Sequence, residues 1–378
     1  MVPIARRNLF HNKVKLATAA VGVAFSTVLV TCLGGLFVGT SRQATGIIDH
    51  AGADLWVAAP GTRSIGLGEP ISERRLYQAM SVPGVLWAEP VVLQFSSWRL
   101  RDGRQEVTQI VGLVPHSRLN LPWDMAMGTR GHMLHDDGVI IDERERKRFG
   151  SEERPLEVDD RVEILNVRAR VAGFSRGVGS ITTIPYVFTT QKQAQRYTTV
   201  DEGQTSYIAV KAASGIEVAR LQRELEYHIP EVDVLTAEQF SERTRDYWVF
   251  GTGLGLGIIF AAGLGLVVGS VVVSQTIYAA TLERLAEYGT LKALGMSNQR
   301  LAFIIIEQAL WIGGFGFAAG AACAATLGAC MPGWHLPVEI PAWLYGLMLL
   351  LTSAMCTGAS VTSVIKVFRL PPAVVFRG

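Results

Sequence analysis

The chain has 378 residues, 49% of them hydrophobic and 18% charged, with 35 Lys and Arg against 33 Asp and Glu and a mean hydropathy of +0.27. That is too apolar for an ordinary soluble protein and too polar for one made only of membrane spans, so a few spans are joined to a sizeable water-soluble part. A net charge of +2 leaves no basic excess of the kind that marks a nucleic-acid-binding protein.

Arg6, Arg7, Lys13 and Lys15 precede the first uncharged run, Leu16 to Thr40. The 25 uncharged residues exceed the core of a secretory signal and suffice to cross a bilayer, so residues 16–40 are expected to be a retained span behind an amphipathic entry helix at 1–15.

Residues 41–246 follow as an expected α+β domain with turn signals and mixed texture. ADLWVAAPG reads as a strand ended by Pro60 and Gly61, and ISERRLYQAMSVPGV as a helix capped near Ser72 and stopped at Pro83 and Gly84. Two strands, VLWAEPVVLQFSSWRL and EVTQIVGLV, are joined by a turn at Asp102 and Gly103. Residues 116–202 carry a different texture: DERERKRFG reads as a solvated helix face, RVEILN and ARVAGF as strands, and TTQKQAQRYTT as a polar run. From 203 the first pattern returns as strand TSYIAVKA, helix GIEVARLQRELEYHI and strand VDVLT. A domain at 41–115 and 203–246 interrupted by a β-rich insert at 116–202 is therefore expected. His132, His135, Asp136 and Asp137 are the densest group of possible metal ligands, but they lie in a glycine-flanked turn and are read as a polar loop, with no metal expected. No G-x-S-x-G, H-E-x-x-H or P-loop pattern occurs, so an active site is unsupported.

Three more uncharged runs follow, Tyr247 to Leu282, Gln308 to Val338 and Ile340 to Ile365, giving expected spans at 247–275, 303–330 and 342–365. A short external loop, 331–341, would join the last two. Buried helices of a soluble enzyme rarely run so long without a polar face. Outside residues 41–247 the chain holds ten Lys or Arg and four Asp or Glu, the basic ones clustered at the N-terminus, around Arg284, Lys292 and Arg300, and at Lys366, Arg369 and Arg377. By the positive-inside rule both termini, including the tail 366–378, and the loop 276–302 are expected in the cytoplasm, with residues 41–246 outside. Small residues recur every fourth position at Gly253, Gly257, Ala261, Gly265 and Gly269, and again at Gly316, Gly320, Ala324 and Gly328. That spacing makes ridges for close helix packing. The glycine-rich GTGLGLG lies inside a span rather than after a strand, which excludes a nucleotide loop. Glu307 is the acid placed to enter the membrane; as an intramembrane polar site it is expected to reach a polar or basic neighbour such as Arg300, with a substrate or proton role as the alternative. All four cysteines, Cys32, Cys323, Cys330 and Cys356, fall in or beside apolar runs, so no disulfide framework is expected.

Between the second and third spans, TLERLAEYGTLKALGMSNQRLAF opens with a charged helical start, then Gly289 and Gly295 are read as breakers around an apolar turn, Thr290 to Leu294. Such a compact amphipathic element suits a groove on a soluble partner. Here the chain resembles the FtsX-like permeases of macrolide-exporter and lipoprotein-release type, a class of ABC transporter permease. Their Glu-Ile-Gly-x-x-(Arg/Lys)-Ala-(Leu/Ile)-Gly run is matched by Glu287, Tyr288, Gly289, Lys292, Ala293, Leu294 and Gly295, with Tyr288 departing from Ile. Glu307, the segment ARRNLFHNKVKLATAAVGVAFS and ADLWVAAPG resemble further family features.

The resemblance implies a fold of four transmembrane helices with an extracytoplasmic domain, a porter-like part carrying an inserted subdomain, between the first two. It implies dimers, of this chain or with a paralogous permease, embedded in membrane lipid and driven by a separate cytoplasmic ABC ATPase that binds ATP and Mg, since this chain has no G-x-x-x-x-G-K-[ST] and is expected to bind no cofactor itself. Many members also engage a periplasmic adaptor and an outer-membrane duct. The ATPase contact would fall on Glu283, Arg284, Glu287, Tyr288, Gly289, Lys292, Ala293, Leu294, Gly295 and Met296. Movement of the outer domain would then serve export of a lipid, lipopeptide, drug or heme. A second branch of the family activates cell-wall hydrolases without transport, typically with a smaller outer domain.

Overall fold

The computed structural model describes residues 13–134, 137–179, 184–283, 285–330 and 338–369. The chain divides into two compact units, one of residues 1–39 and 255–378 and the other of residues 40–254.

Helix α1, Lys13–Ala51, does not stop at residue 40 where the uncharged run ends. Past that point Ala44, Ile47, Ile48 and Ala51 recur at helical spacing and are buried, so an apolar stripe carries the helix into the core of the second unit. After it come β1 (Leu55–Ala58), β2 (Ile71–Ser72), α2 (Arg74–Ser81), β3 (Val85–Arg99), β4 (Gln105–Leu113), β5 (Met125–Met127), β6 (Gly138–Asp142), α3 (Arg146–Phe149), β7 (Arg161–Ile164), β8 (Val167–Ser175), β9 (Tyr186–Thr190), α4 (Gln191–Tyr197), β10 (Gln204–Thr205), β11 (Tyr207–Ala212), α5 (Val218–His228), β12 (Asp233–Thr236) and α6 (Ala237–Asp246).

Ten of these strands form one sheet in the order β12-β1-β11-β3-β4-β9-β6-β8-β5, with β7 paired to β3 and β8. The strands of residues 116–202 do not form a sheet of their own; parallel pairing of β9 with β4, Ile110 opposite Val187, extends the existing one. The hairpin expected at Asp102 and Gly103 is present, with Arg99 opposite Gln105. The polar run after β9 is a helix, α4, because Thr190 caps it by accepting from the Gln193 N–H at 3.4 Å.

Three buried clusters hold this unit. Trp56, Leu93, Val111, Tyr207 and Phe240 pack with the stripe of α1. Leu221 and Leu225 of α5 pack with Val57, Ile208 and Val234 in a separate cluster. Trp98, Phe149, Phe174 and Tyr197 fill the third, around the strands of the insert. Each such side chain stabilises the fold by about 1.5–3 kcal/mol on burial.

In the first unit, α1 is joined by α7 (Leu254–Glu283), α8 (Leu285–Ala293), α9 (Asn298–Cys330) and α10 (Ala342–Phe368). Together with α1, the helices α7, α9 and α10 are long and apolar enough to cross a membrane. Ala19, Val23, Val273, Ile277, Ile305, Ala309 and Cys356 form their shared core. The second span starts seven residues later than the uncharged run does, because Tyr247–Gly251 forms a π-helical turn and α7 begins only at Leu254. The entry segment before Lys13, most of the expected 331–341 loop and the tail beyond Arg369 lie outside the described residues.

Candidate coupling site

The segment expected to meet an ATPase is almost wholly helical. Helix α7 continues through Glu283, α8 occupies Leu285–Ala293, and α9 begins at Asn298, five residues before the expected third span. Glu283 and Glu287 are exposed, and Arg284 lies outside the described residues. Tyr288 is 2% exposed and packs with Leu301, Ile305 and Val367. Gly289, read from sequence as a breaker, sits inside α8 and is buried, so the helix passes through it and the expected apolar turn at Thr290 to Leu294 is the end of that helix.

The break falls at Gly295, with φ of +88°. Met296 N–H donates to the Leu291 carbonyl at 3.0 Å and Gly295 N–H to the Lys292 carbonyl at 3.1 Å, the paired bonds of a Schellman stop, and Leu291 and Met296 both lie against the helical core. Only a residue tolerant of the left-handed region completes that stop without strain. Ser297 then caps α9, its Oγ accepting from the Arg300 N–H at 3.4 Å. Lys292 Nζ donates to the Phe368 carbonyl at 3.0 Å, tying α8 to the end of α10. Leu294 protrudes at the tip with 80% of its surface exposed, next to exposed Ala293. The site thus offers a fixed apolar knob with carboxylates on the preceding turns.

The small-residue ridges separate into positions that pack and positions that do not. A Cβ added at Gly316 would lie 2.8 Å from the Ala20 carbonyl oxygen, and one at Gly320 would lie 2.7 Å from that of Ala24, so α9 meets α1 backbone to backbone. At Gly265 an added Cβ would lie 2.5 Å from Leu29, and at Gly269 it would strike Ser26, whose Oγ donates to the Gly265 carbonyl at 2.9 Å. Gly253 precedes α7 in a turn with φ of +76°, so it is not on the ridge. Gly257 is in the helix but has nothing within 4 Å of an added Cβ. Within one protomer, therefore, the α7 ridge is packed at Gly265 and Gly269 and open at Gly257.

Glu307 is half-buried in the third turn of α9, and among the described residues it forms no ion pair with Arg300. Seven residues of helix separate them, a rise of about 10 Å. The neighbouring Gln308 has a buried Nε2 without a hydrogen-bond partner among the described residues. Of the histidine and aspartate group at 132–137, His132 Nδ1 accepts from the Thr129 N–H at 3.3 Å and Asp137 pairs with Arg170 at 3.5 Å, while His135 and Asp136 lie outside the described residues. Among the described residues no cluster of three or more ligands could hold a metal.

One contact escaped sequence reading. Asp49, near the end of α1, accepts from Ser241 Oγ of α6 at 2.7 Å and from Thr45 Oγ1 at 2.6 Å. The signal for α6 was present in Thr236 and Gln239, three apart, which form a capping box.

Comparison with known proteins matches residues 16–227 to the family of the MacB-like periplasmic core domain and residues 259–372 to the FtsX-like permease C-terminal family. An uncharacterised ABC transporter permease of Mycobacterium tuberculosis is 23% identical over the full length of both chains. Another, from Methanocaldococcus jannaschii, is 25% identical over 43% of this chain and 42% of its own length. Among solved structures, the periplasmic region of MacB from Actinobacillus actinomycetemcomitans aligns over 52% of this chain and 94% of its own, at 12% identity and a TM-score of 0.39. With four helices among the described residues long and apolar enough to span a membrane, and a family match that covers more than half of its length, this chain belongs to the MacB-like and FtsX-like permeases of ABC transporters.

Proposed function

We propose that this permease transmits force from a separate cytoplasmic ATPase to an extracytoplasmic domain, residues 41–246, and thereby drives export or extraction of a hydrophobic or amphipathic molecule. The observation that carries this reading is the α8 tip. It is a helix stopped by a Schellman turn at Gly295, anchored through Tyr288 and Lys292, with Leu294 left bare. A side chain 80% exposed and held at a fixed helix end is suited to filling a pocket on another protein. Both Lys292 and Arg300 lie on this side of the helices, which favours the cytoplasm. The continuity of α1 from Lys13 to Ala51 supports transmission, because one unbroken helix holds both the first candidate span and residues of the outer-domain core. ATP and Mg would be held by the partner, and a dimer would present two such tips. An outer domain of about 200 residues favours export over hydrolase activation.

The reading is tested by placing a cysteine at Leu294 in a cysteine-free background and co-expressing the chain with the ATPase. ATPase crosslinks at position 294 and none at Tyr345 are expected. Labelling of position 294 from outside intact cells would overturn the orientation and the proposal with it.

A further inference from the structure

Strand β12 ends the sheet, and its outer edge is closed by two glutamines rather than by another strand. Ala237 N–H donates to the Asp54 carbonyl at 2.9 Å, so the antiparallel register pairs Leu235 with Trp56 and Asp233 with Ala58 as bonded partners and turns the polar groups of Val234 and Thr236 away from β1. Helix α5 covers one face of the sheet here through Leu221 and Leu225, and α6 packs on the other through Phe240. From α5, Gln222 Nε2 donates to the Val234 carbonyl at 2.8 Å; from α6, Gln239 Oε1 accepts from the Thr236 N–H at 3.0 Å. The two side chains meet over the strand, Gln222 Nε2 donating to Gln239 Oε1 at 2.9 Å. Neither accepts from the Val234 N–H.

Beside this edge lies a slot of about 660 Å³, lined by α5, β12 and α6. Its walls carry Glu226, Asp233, Glu242 and Asp246 against one cation, Arg243, which Asp233 already binds at 2.7 Å. A backbone edge with side-chain amides standing in for a missing strand, in a slot with excess negative charge, has the recognition chemistry of an extended peptide with basic side chains.

We propose that the β12 edge is a docking site for an extended Lys- or Arg-rich segment of a separate protein, which adds as a strand after displacing the Gln222–Gln239 bridge. The segment's N–H takes over the Val234 carbonyl, its carbonyls accept from Val234 and Thr236, and its cations lie against Glu226, Glu242 and Asp246. The glutamines keep the edge from pairing with other strands until a segment of the right charge arrives. This surface belongs to the unit of residues 40–254, whereas the α8 tip belongs to the other, and the proposal does not depend on the coupling proposed for that tip.

The test uses the full-length chain in nanodiscs and a fluorescent octapeptide of alternating Lys and Val. Binding should slow hydrogen exchange at the Val234 amide. Methylating the peptide nitrogens that face the edge should weaken binding about tenfold or more, as expected when backbone bonds carry the contact. Glu226→Gln with Glu242→Gln should weaken it about tenfold and flatten its salt dependence, as for a charge-steered contact. Gln222→Ala should tighten it about threefold by freeing the Val234 carbonyl. Unaltered binding of the methylated peptide, or full binding by the Glu226→Gln, Glu242→Gln variant, would overturn the proposal. Protection of Val234 that rises with protein concentration in the absence of peptide would assign the edge to a second copy of this chain and overturn the basic-segment reading.

Discussion

Asp49 on α1 and Ser241 on α6 are joined by a hydrogen bond of 2.7 Å that links two helices 192 residues apart in sequence. Helix α1 contains the first candidate span, and α6 leads through the turn at Tyr247–Gly251 into the second. If the outer domain is driven through these two helices, they must move together. Asp49→Ala or Ser241→Ala should then lower transport per ATP hydrolysed while membrane insertion stays normal. Hydrogen exchange of α6 amides measures the local cost, and a double-mutant cycle should return a coupling of about 1 kcal/mol. Additive single effects would show that the bond carries nothing.

Replacing Gly316 or Gly320 by Val should disrupt the helical unit, because the new side chain would press on the Ala20 or Ala24 carbonyl. Overpacking of this kind costs about 1–3 kcal/mol, whereas Gly257→Leu, facing open space, should change protomer stability by under about 0.5 kcal/mol. Thermal unfolding in detergent at low protein concentration separates these outcomes.

Asp142 is a signed test of the outer domain. Its carboxylate accepts from the Arg144 N–H at 3.0 Å and from the Val178 N–H at 2.7 Å, yet burial pushes its pKa above the usual carboxylate value. The folded state therefore holds this proton more tightly than the unfolded chain does. Stability from this group is complete below the unfolded value and is lost as pH rises through the folded one. Asp142→Asn, with no charge to desolvate, should gain on the native protein as pH is raised from 4 to 7 in urea unfolding. A constant difference across that range would contradict the burial argument.

The four candidate spans were the legible part of the molecule, because long uncharged runs have few physical alternatives. Helix ends were less legible. Nothing in Ser41 to Ala51 is as apolar as a span, so the continuation of α1 depends on the stripe Ala44, Ile47, Ile48, whose partner strands come from far along the chain. Gly289 and Gly295 look alike in sequence, but one is buried within a helix and the other ends it, and only the burial of Tyr288 beside Gly289 distinguishes them. The bond from Lys292 to the Phe368 carbonyl and the Asp49–Ser241 bond join residues with no local pattern between them, so no reading of spacing could have found either.

The claim that the α8 tip couples ATP hydrolysis to transport is tested most directly by Gly295→Val, with Leu294→Ala beside it, in proteoliposomes holding the permease and its ATPase. A β-branched residue cannot take φ of +88° without strain, so the Schellman stop is lost and the knob at Leu294 is misaimed. The measurement is substrate moved per ATP hydrolysed. Both variants should assemble in the membrane and retain ATP hydrolysis, with Gly295→Val lowering the ratio at least about tenfold and Leu294→Ala by several-fold, the loss of one central apolar contact. A native ratio in both would contradict the account.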